Sequence, residues 1–411
     1  MTLGTGRASR PGRQSRAHDG LVRYLREAGV LTSDWAGAFR AVPRAWFLPD
    51  LFWAYDMETG HSRFHSRSAD PGGWERAAYD DVPLVVQWDD GRHTGDEPGR
   101  MGTSSATMPS VMAAMLGDLD VADGMRALEI GTGTGWNAGL LAHRLGAGNV
   151  VSVEIDPAVA VRATGALRRA GLGPGAVEVA EGDGGAGRPG RAPYDRVIVT
   201  AGARAISPHW LEQTRPGGII LAPWGTHYSN QDALVRLTVG PDGRASGPFL
   251  RMVEFMKLRD QRLDWSRFRD HVEEFPGDAE VSRTSVTLAD LGGRYATSSF
   301  AVGLCVPDCA HVVNRSPDGT AKAWFLDLRS RSWAAVVFGG DTGLGTETPF
   351  GAVHQSGPRR LWDEVAAALT WWNDRGRPAL SRFGLTVERD GRTRPWLDDP
   401  SDVLPSAVPR R

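Results

Sequence analysis

Lysine is almost missing from this chain: Lys257 and Lys322 are the only two among 47 basic residues in 411. Cysteine is as scarce. Cys305 and Cys309 cannot staple a chain of this length, and a lone C-x-x-x-C without a second ligand pair is weak ground for a metal, so none is expected. No apolar run reaches the roughly 18 residues that a membrane-crossing helix needs. The formal net charge is only −2, so no global basic field points to nucleic acid. Tyrosine is sparse at 6 residues against 15 tryptophans, many of them in the C-terminal third. What remains, 41% hydrophobic and 23% charged residues, suits a globular protein large enough for two domains. Met1 to Ala17 is rich in Arg, Gly and Ser with no apolar core of a signal peptide; it reads as a disordered tail on a cytoplasmic protein.

Helical spacing runs from His18 to Asp50, through Leu21, Tyr24, Leu25, Trp35, Phe39 and Val42, until Pro43 and Pro49 break it. Residues 56–102 are rich in Gly, Asp and Arg, with one apolar burst at Val82–Trp88; they predict loops and at most one short strand. A helix is expected from Pro109 to Leu119. Strands at Arg126–Ile130, Asn149–Glu154, Val177–Glu181 and Arg196–Thr200 then alternate with helices at Trp136–Leu145 and Ala158–Ala170. A short helix, Pro208–Gln213, leads to a strand at Ile219–Ala222. This order predicts an α/β fold with a doubly wound, mostly parallel sheet behind N-terminal helices. After about Asp260 the alternation stops, leaving a small C-terminal α+β extension with one clear helix at Leu361–Asn373.

The densest chemical signal is Glu129-Ile130-Gly131-Thr132-Gly133-Thr134-Gly135, a glycine-rich turn between a strand and a helix. Without Cβ atoms such a turn lets a ligand approach the backbone. A dinucleotide fingerprint needs G-x-G-x-x-G, and here Trp136 fills the third slot. The glycines at 131, 133 and 135 after an acidic residue resemble instead the first motif of class I methyltransferases, which implies a Rossmann-like fold and S-adenosylmethionine as cofactor, leaving S-adenosylhomocysteine. Glu154, ending the second strand, is placed to accept from ribose hydroxyls, with Ile155 beside it. Asp183 and Gly184 resemble the segment lining the adenine. The expected cofactor residues are Glu129, Gly131, Thr132, Gly133, Gly135, Glu154, Ile155, Asp183, Gly184 and Thr200.

Further segments resemble one family. Ala38 to Pro49 (A-F-R-A-V-P-R-A-W-F-L-P), Tyr79 to Leu84, Tyr194 to Ala201 and Leu211 to Pro223 are similar to elements of protein-L-isoaspartate O-methyltransferases, over roughly residues 20–258. The resemblance implies carboxyl methylation. The family's T-I-S-Q-P segment is matched by Ser105-Ala106-Thr107-Met108-Pro109, so Thr107 stands where the family has Ser. Thr107, Ser105 and Ser104 are therefore the expected catalytic hydroxyls; for any one of them the alternative is a turn that caps the helix starting at Pro109. The C-terminal segment departs from the family. Phe383 to Val387 followed by Trp396 to Asp398 is similar to the ending of extended methyltransferases of ribosomal-peptide biosynthesis, in lanthipeptide and ATP-grasp peptide clusters.

On that footing residues 18–258 form the catalytic domain and 259–411 an accessory domain for substrate recognition, with Trp324, Trp333 and Trp362 either gripping a peptide or filling a core. The acceptor favoured is an aspartate of a macrocyclic ribosomal peptide, converted through a succinimide to isoaspartate. The alternative is repair of isoaspartyl residues in damaged proteins. Either way the partner is a peptide or protein carboxylate, with no nucleic acid and no membrane, and a monomer is expected.

Overall fold

The computed structural model describes residues 16–173, 175–264, 271–272, 274–339 and 351–405. The tail expected at 1–17 lies outside them except for Arg16 and Ala17, which already belong to the first helix. Contacts divide the chain into two compact units, Met1–Ile198 and Val199–Arg411.

The first unit opens with helices α1 (Arg16–Glu27) and α2 (Ser33–Ala41). Strands β1 (Leu51–Tyr55) and β2 (Ser62–Ser66), helix α3 (Pro71–Ala78), and strands β3 (Leu84–Trp88) and β4 (Gly102–Ala106) follow. Residues 56–102, expected to be mostly loop with one short strand at Val82–Trp88, thus supply that strand as β3 and add α3 and β2, in an antiparallel sheet ordered β2-β1-β3-β4. The sequence disguises it: β2 reads Ser-Arg-Phe-His-Ser, with no apolar alternation, and none of its residues is fully buried.

Helix α4 (Pro109–Leu119) leads into β5 (Ala127–Ile130), α5 (Trp136–Leu145), β6 (Val150–Glu154), α6 (Pro157–Arg169), β7 (Val177–Glu181) and β8 (Tyr194–Val199). The order in space is β8-β5-β6-β7, with β5, β6 and β7 parallel. The chain therefore winds outward from β5 to β7 and returns on the other side of β5. That makes the C-terminal end of β5 a topological switch point, where open α/β sheets bind ligands. β5 and β6 are buried along their whole length, which explains why they are mostly apolar, with Glu129, Ser152 and Glu154 as buried polar exceptions. The N-terminal helices cover this sheet's helix layer: Trp136 of α5 meets Phe39 of α2 edge-on at 5.5 Å and donates to the Val42 carbonyl.

The second unit holds α7 (Pro208–Glu212), β9 (Thr214–Trp224), β10 (Asp232–Val239), β11 (Ala245–Val253), β12 (Glu280–Thr284), α8 (Thr297–Cys305), β13 (Cys309–Arg315), β14 (Ala321–Asp327), β15 (Trp333–Phe338), β16 (Gly351–Ser356), α9 (Leu361–Asp374), β17 (Phe383–Val387) and β18 (Thr393–Leu397). Strands β12 to β16 make an antiparallel sheet ordered β12-β16-β15-β14-β13. The chain after residue 258 also returns to the earlier strands, because β17 pairs antiparallel with β11 and β18 with β17. Trp333 and Trp362 are buried, and Trp324 packs on Phe275 and Trp333. Trp333 and Trp362 thus build cores, and half-buried Trp324 packs against one of them.

Candidate active site

The glycine turn leaves β5 with three left-handed residues in alternation: Gly131 (φ 92°), Gly133 (φ 54°) and Gly135 (φ 86°). Space as well as angle demands glycine. A Cβ on Gly133 would lie 3.2 Å from the Ser105 carbonyl, and one on Gly135 would press on Ala163 of α6 at 3.3 Å. The turn is fastened from beneath. Thr132 Oγ1 and Ser152 Oγ share a hydrogen bond of 2.6 Å, Ser152 Oγ donates to Glu129 Oε2, and Asn137 Nδ2 donates to Glu129 Oε1.

Glu129 is fully buried, and burial pushes its carboxyl up to about 7 despite those two donors. Its carboxylate is spent inside the protein, so it positions the turn and does not face a ligand. Glu154 is different. It is 7% exposed, accepts from the Gly133 N–H (2.9 Å) and the Asp156 N–H (3.1 Å), and burial raises its pKa. Each of its oxygens keeps a lone pair for a hydroxyl donor. Ile155 beside it is 42% exposed, an apolar side chain presented next to a carboxylate.

The turn after β7 closes against the same place. Gly182 N–H donates to the Glu154 carbonyl, and a Cβ on buried Gly184 would collide with Ile130 at 2.5 Å. Exposed Asp183 uses Oδ1 to receive the Gly185 N–H. Thr200 is half-buried, the residue directly after β8, and belongs to the second unit.

The hydroxyls arrive on β4. Ser104 and Ala106 are buried while Ser105 and Thr107 are half-buried, as alternation along a strand requires. Of the three expected catalytic hydroxyls, Ser104 therefore lies on the strand face opposite to Ser105. Ser104 Oγ is buried without a partner, 3.9 Å from where a Gly133 Cβ would stand. None of them caps α4. The capping residue is Met108, with no side-chain bond, and Asp81 Oδ1 receives the Ser110 N–H instead.

Sequence reasoning gave no role to Arg44, which holds this arrangement. It is completely buried and donates to the carbonyls of Ala78, Asp80, Val82, Ala106 and Thr107 at 2.9–3.4 Å. Burial lowers its pKa to about 9, with Asp81 and Asp80 opposing. Gln87 and Asp156 were missed as well. Asp156 caps α6 by accepting from the Ala158 and Val159 N–H groups, and its Asp-Pro pair is a legible helix start. Gln87 has no local signature.

A carboxylate with spare lone pairs, an exposed apolar side chain, a second carboxylate and a glycine turn converge at the switch point, with hydroxyls behind them. Residues 67–263 match the family model described as protein-L-isoaspartate(D-aspartate) O-methyltransferase. The protein-L-isoaspartate O-methyltransferase of Methanopyrus kandleri is 33% identical over 225 residues, which cover 54% of this chain and 83% of that protein. Its counterpart in Methanococcoides burtonii is 35% identical over 209 residues, 51% of this chain and 84% of that one.

The chain belongs to the protein-L-isoaspartate O-methyltransferase family.

The similarity to the family member of Pyrococcus horikoshii, 43% over 126 residues, covers 31% of this chain and 56% of that protein. With the relatives from Pyrococcus abyssi and Methanoculleus marisnigri, at 59% and 62%, the chain spans little more than half of their length. A solved structure titled protein-L-isoaspartate O-methyltransferase superposes with a TM-score of 0.53 at 21% identity, over 93% of this chain and all of that one. The fold is that of the Rossmann-like class I methyltransferases.

Proposed function

We propose that this family member is an S-adenosylmethionine-dependent carboxyl O-methyltransferase acting on isoaspartyl residues of peptides or proteins. The observation that carries the reading is the approach of the β4 hydroxyl strand to the glycine turn, with the Ser105 carbonyl 3.2 Å from the vacant Cβ position of Gly133. It brings a cofactor-type turn and an acceptor-type hydroxyl set into one site.

The residues fit the cofactor. Glu154 offers lone pairs to ribose hydroxyls, Ile155 offers an apolar face, Asp183 keeps an oxygen for an amine, and the turn exposes backbone where a Cβ would intrude. When bound, S-adenosylmethionine supplies an activated methyl group on a sulfonium. An acceptor carboxylate is ionised near neutral pH, so the chain needs no general base. Its task is alignment and water exclusion. Ser105 and Thr107 would hold the carboxylate by hydroxyl donation, which is gentler than an Arg fork and leaves the anion nucleophilic. Both terminal nitrogens of Arg44 are committed to backbone carbonyls, so it takes no part in that contact. Attack on the methyl ester by the following backbone nitrogen would then break the ester C–O bond, give a succinimide and release methanol, which carries away the amide proton.

Residues 18–258 would carry this chemistry, and 259–411 would serve as an accessory region. The burial of Trp333 and Trp362 removes two of the rings that a macrocyclic peptide was expected to meet, and the relatives' names speak for the isoaspartyl acceptor. The test is transfer of labelled methyl to an isoaspartyl peptide, followed by mass spectrometry, in the wild type and in Thr107→Ala. Loss of the hydroxyl should lower turnover about tenfold or more; unchanged turnover removes Thr107 from the mechanism.

A further inference from the structure

Strands β3 and β4 do not pair evenly. Leu84 faces Ala106 and Val85 faces Ser105, but next Gln87 faces Ser104 and then Trp88 faces Gly102. Val86 and Thr103 are thus each an extra residue, two bulges on opposite strands that flank one pair. Bulges re-aim side chains beside functional sites.

The re-aimed groups form a chain of hydrogen bonds. The Asp90 N–H donates to Thr103 Oγ1 (3.1 Å), Thr103 Oγ1 donates to Gln87 Oε1 (2.9 Å), and Gln87 Nε2 donates to Asp156 Oδ2 (3.3 Å). Asp156 in turn gives its backbone N–H to Glu154 Oε1, and Glu154 Oε2 receives the Gly133 N–H. Gln87 and Asp156 are 7% and 8% exposed, so their bond is shielded from water. Gly91 leaves room: a Cβ there would stand 3.1 Å from Gln87 Nε2.

We propose that Gln87 is a positioning residue that ties the hydroxyl-bearing strand to the cofactor-side carboxylate. This rests on the proposed function. One end of its amide holds Thr103, next to Ser104 and Ser105. The other holds Asp156, two residues beyond Glu154. An amide suits the place because it accepts at one end and donates at the other. A carboxylate at 87 could keep the Thr103 bond but would face Asp156 with like charge.

The experiment uses the full chain with S-adenosylhomocysteine as calorimetric probe, and turnover on an isoaspartyl peptide. Gln87→Glu should weaken binding about tenfold or more, the scale of a lost bond to a charged group. Adding Asp156→Asn reverses the bond's polarity, keeps the helix cap, and should restore affinity to within about threefold. Thr103→Val cuts the other end and should lower turnover while leaving S-adenosylhomocysteine affinity nearly unchanged. A thermal melt of each unliganded variant accompanies the titrations, since a merely structural role would move the melt and not the affinity of folded protein. Wild-type affinity in Gln87→Glu, or no recovery in the double variant, overturns the proposal. A wild-type chain that binds no S-adenosylhomocysteine overturns the functional reading itself, and this inference with it.

Discussion

Arg44 satisfies five carbonyls that lie between 34 and 63 residues further along the chain, while its guanidinium stands 5.6 Å over the Trp136 ring. Cutting it to Ala would strand those acceptors in the interior, at a cost of about 3–5 kcal/mol. Urea unfolding of Arg44→Ala checks this, and a loss below about 1 kcal/mol would show that water replaces the guanidinium. Gly133→Ala should abolish S-adenosylhomocysteine binding in calorimetry, because it opposes both φ 54° and the Ser105 carbonyl. Unchanged affinity would show that the turn yields freely. These two residues also mark what a sequence can reveal. A glycine turn compresses its conformational demands into seven neighbouring letters, so it is legible. Arg44 and Gln87 act on partners brought close only by folding, and no local pattern announces them.

At the scale of elements, the parallel strands were readable because burial on both faces leaves them mostly apolar, as in β6, where Ser152 and Glu154 accompany three valines. In the β1–β4 sheet, β3 was readable as an apolar burst, whereas β2 and β4, short and polar in their letters, look like loop. In the second unit, His311 on β13 forms an aromatic triangle with Tyr228 and Phe325, each at 4.8 Å from it and 6.2 Å from one another, and its Nε2 has no partner. Burial drops its pKa from 6.5 to about 4. Between those values the unfolded chain binds the extra proton, so stability must fall as pH drops from about 6.5 towards 4. His311→Phe keeps the stack and should show a shallower acid decline of melting temperature; an identical slope would exonerate His311. The same unit buries Asp232 between Arg204 (2.8 Å) and Lys257 (2.7 Å), where Gly202 and Gly225 leave no room for a Cβ. Asp232→Ala would leave two cations facing each other and should cost about 3–5 kcal/mol in denaturant unfolding. A cost under about 1 kcal/mol would mean that the cations shed charge or reach solvent.

For the whole molecule, family membership and the switch-point geometry point the same way, while the long C-terminal region lies beyond the matched residues 67–263. Of the tryptophans read from sequence as either grip or core, Trp333 and Trp362 are core, where burial of such rings stabilises the fold, and Trp324 is half-buried. The acceptor is therefore the claim to test first. The purified chain would be incubated with methyl-labelled S-adenosylmethionine and two peptides of one sequence, one with an isoaspartyl linkage and one with ordinary aspartate. The account predicts a mass increase of one methyl, or its succinimide product, on the isoaspartyl peptide alone. Methylation of the aspartyl peptide alone, or of neither, would contradict it.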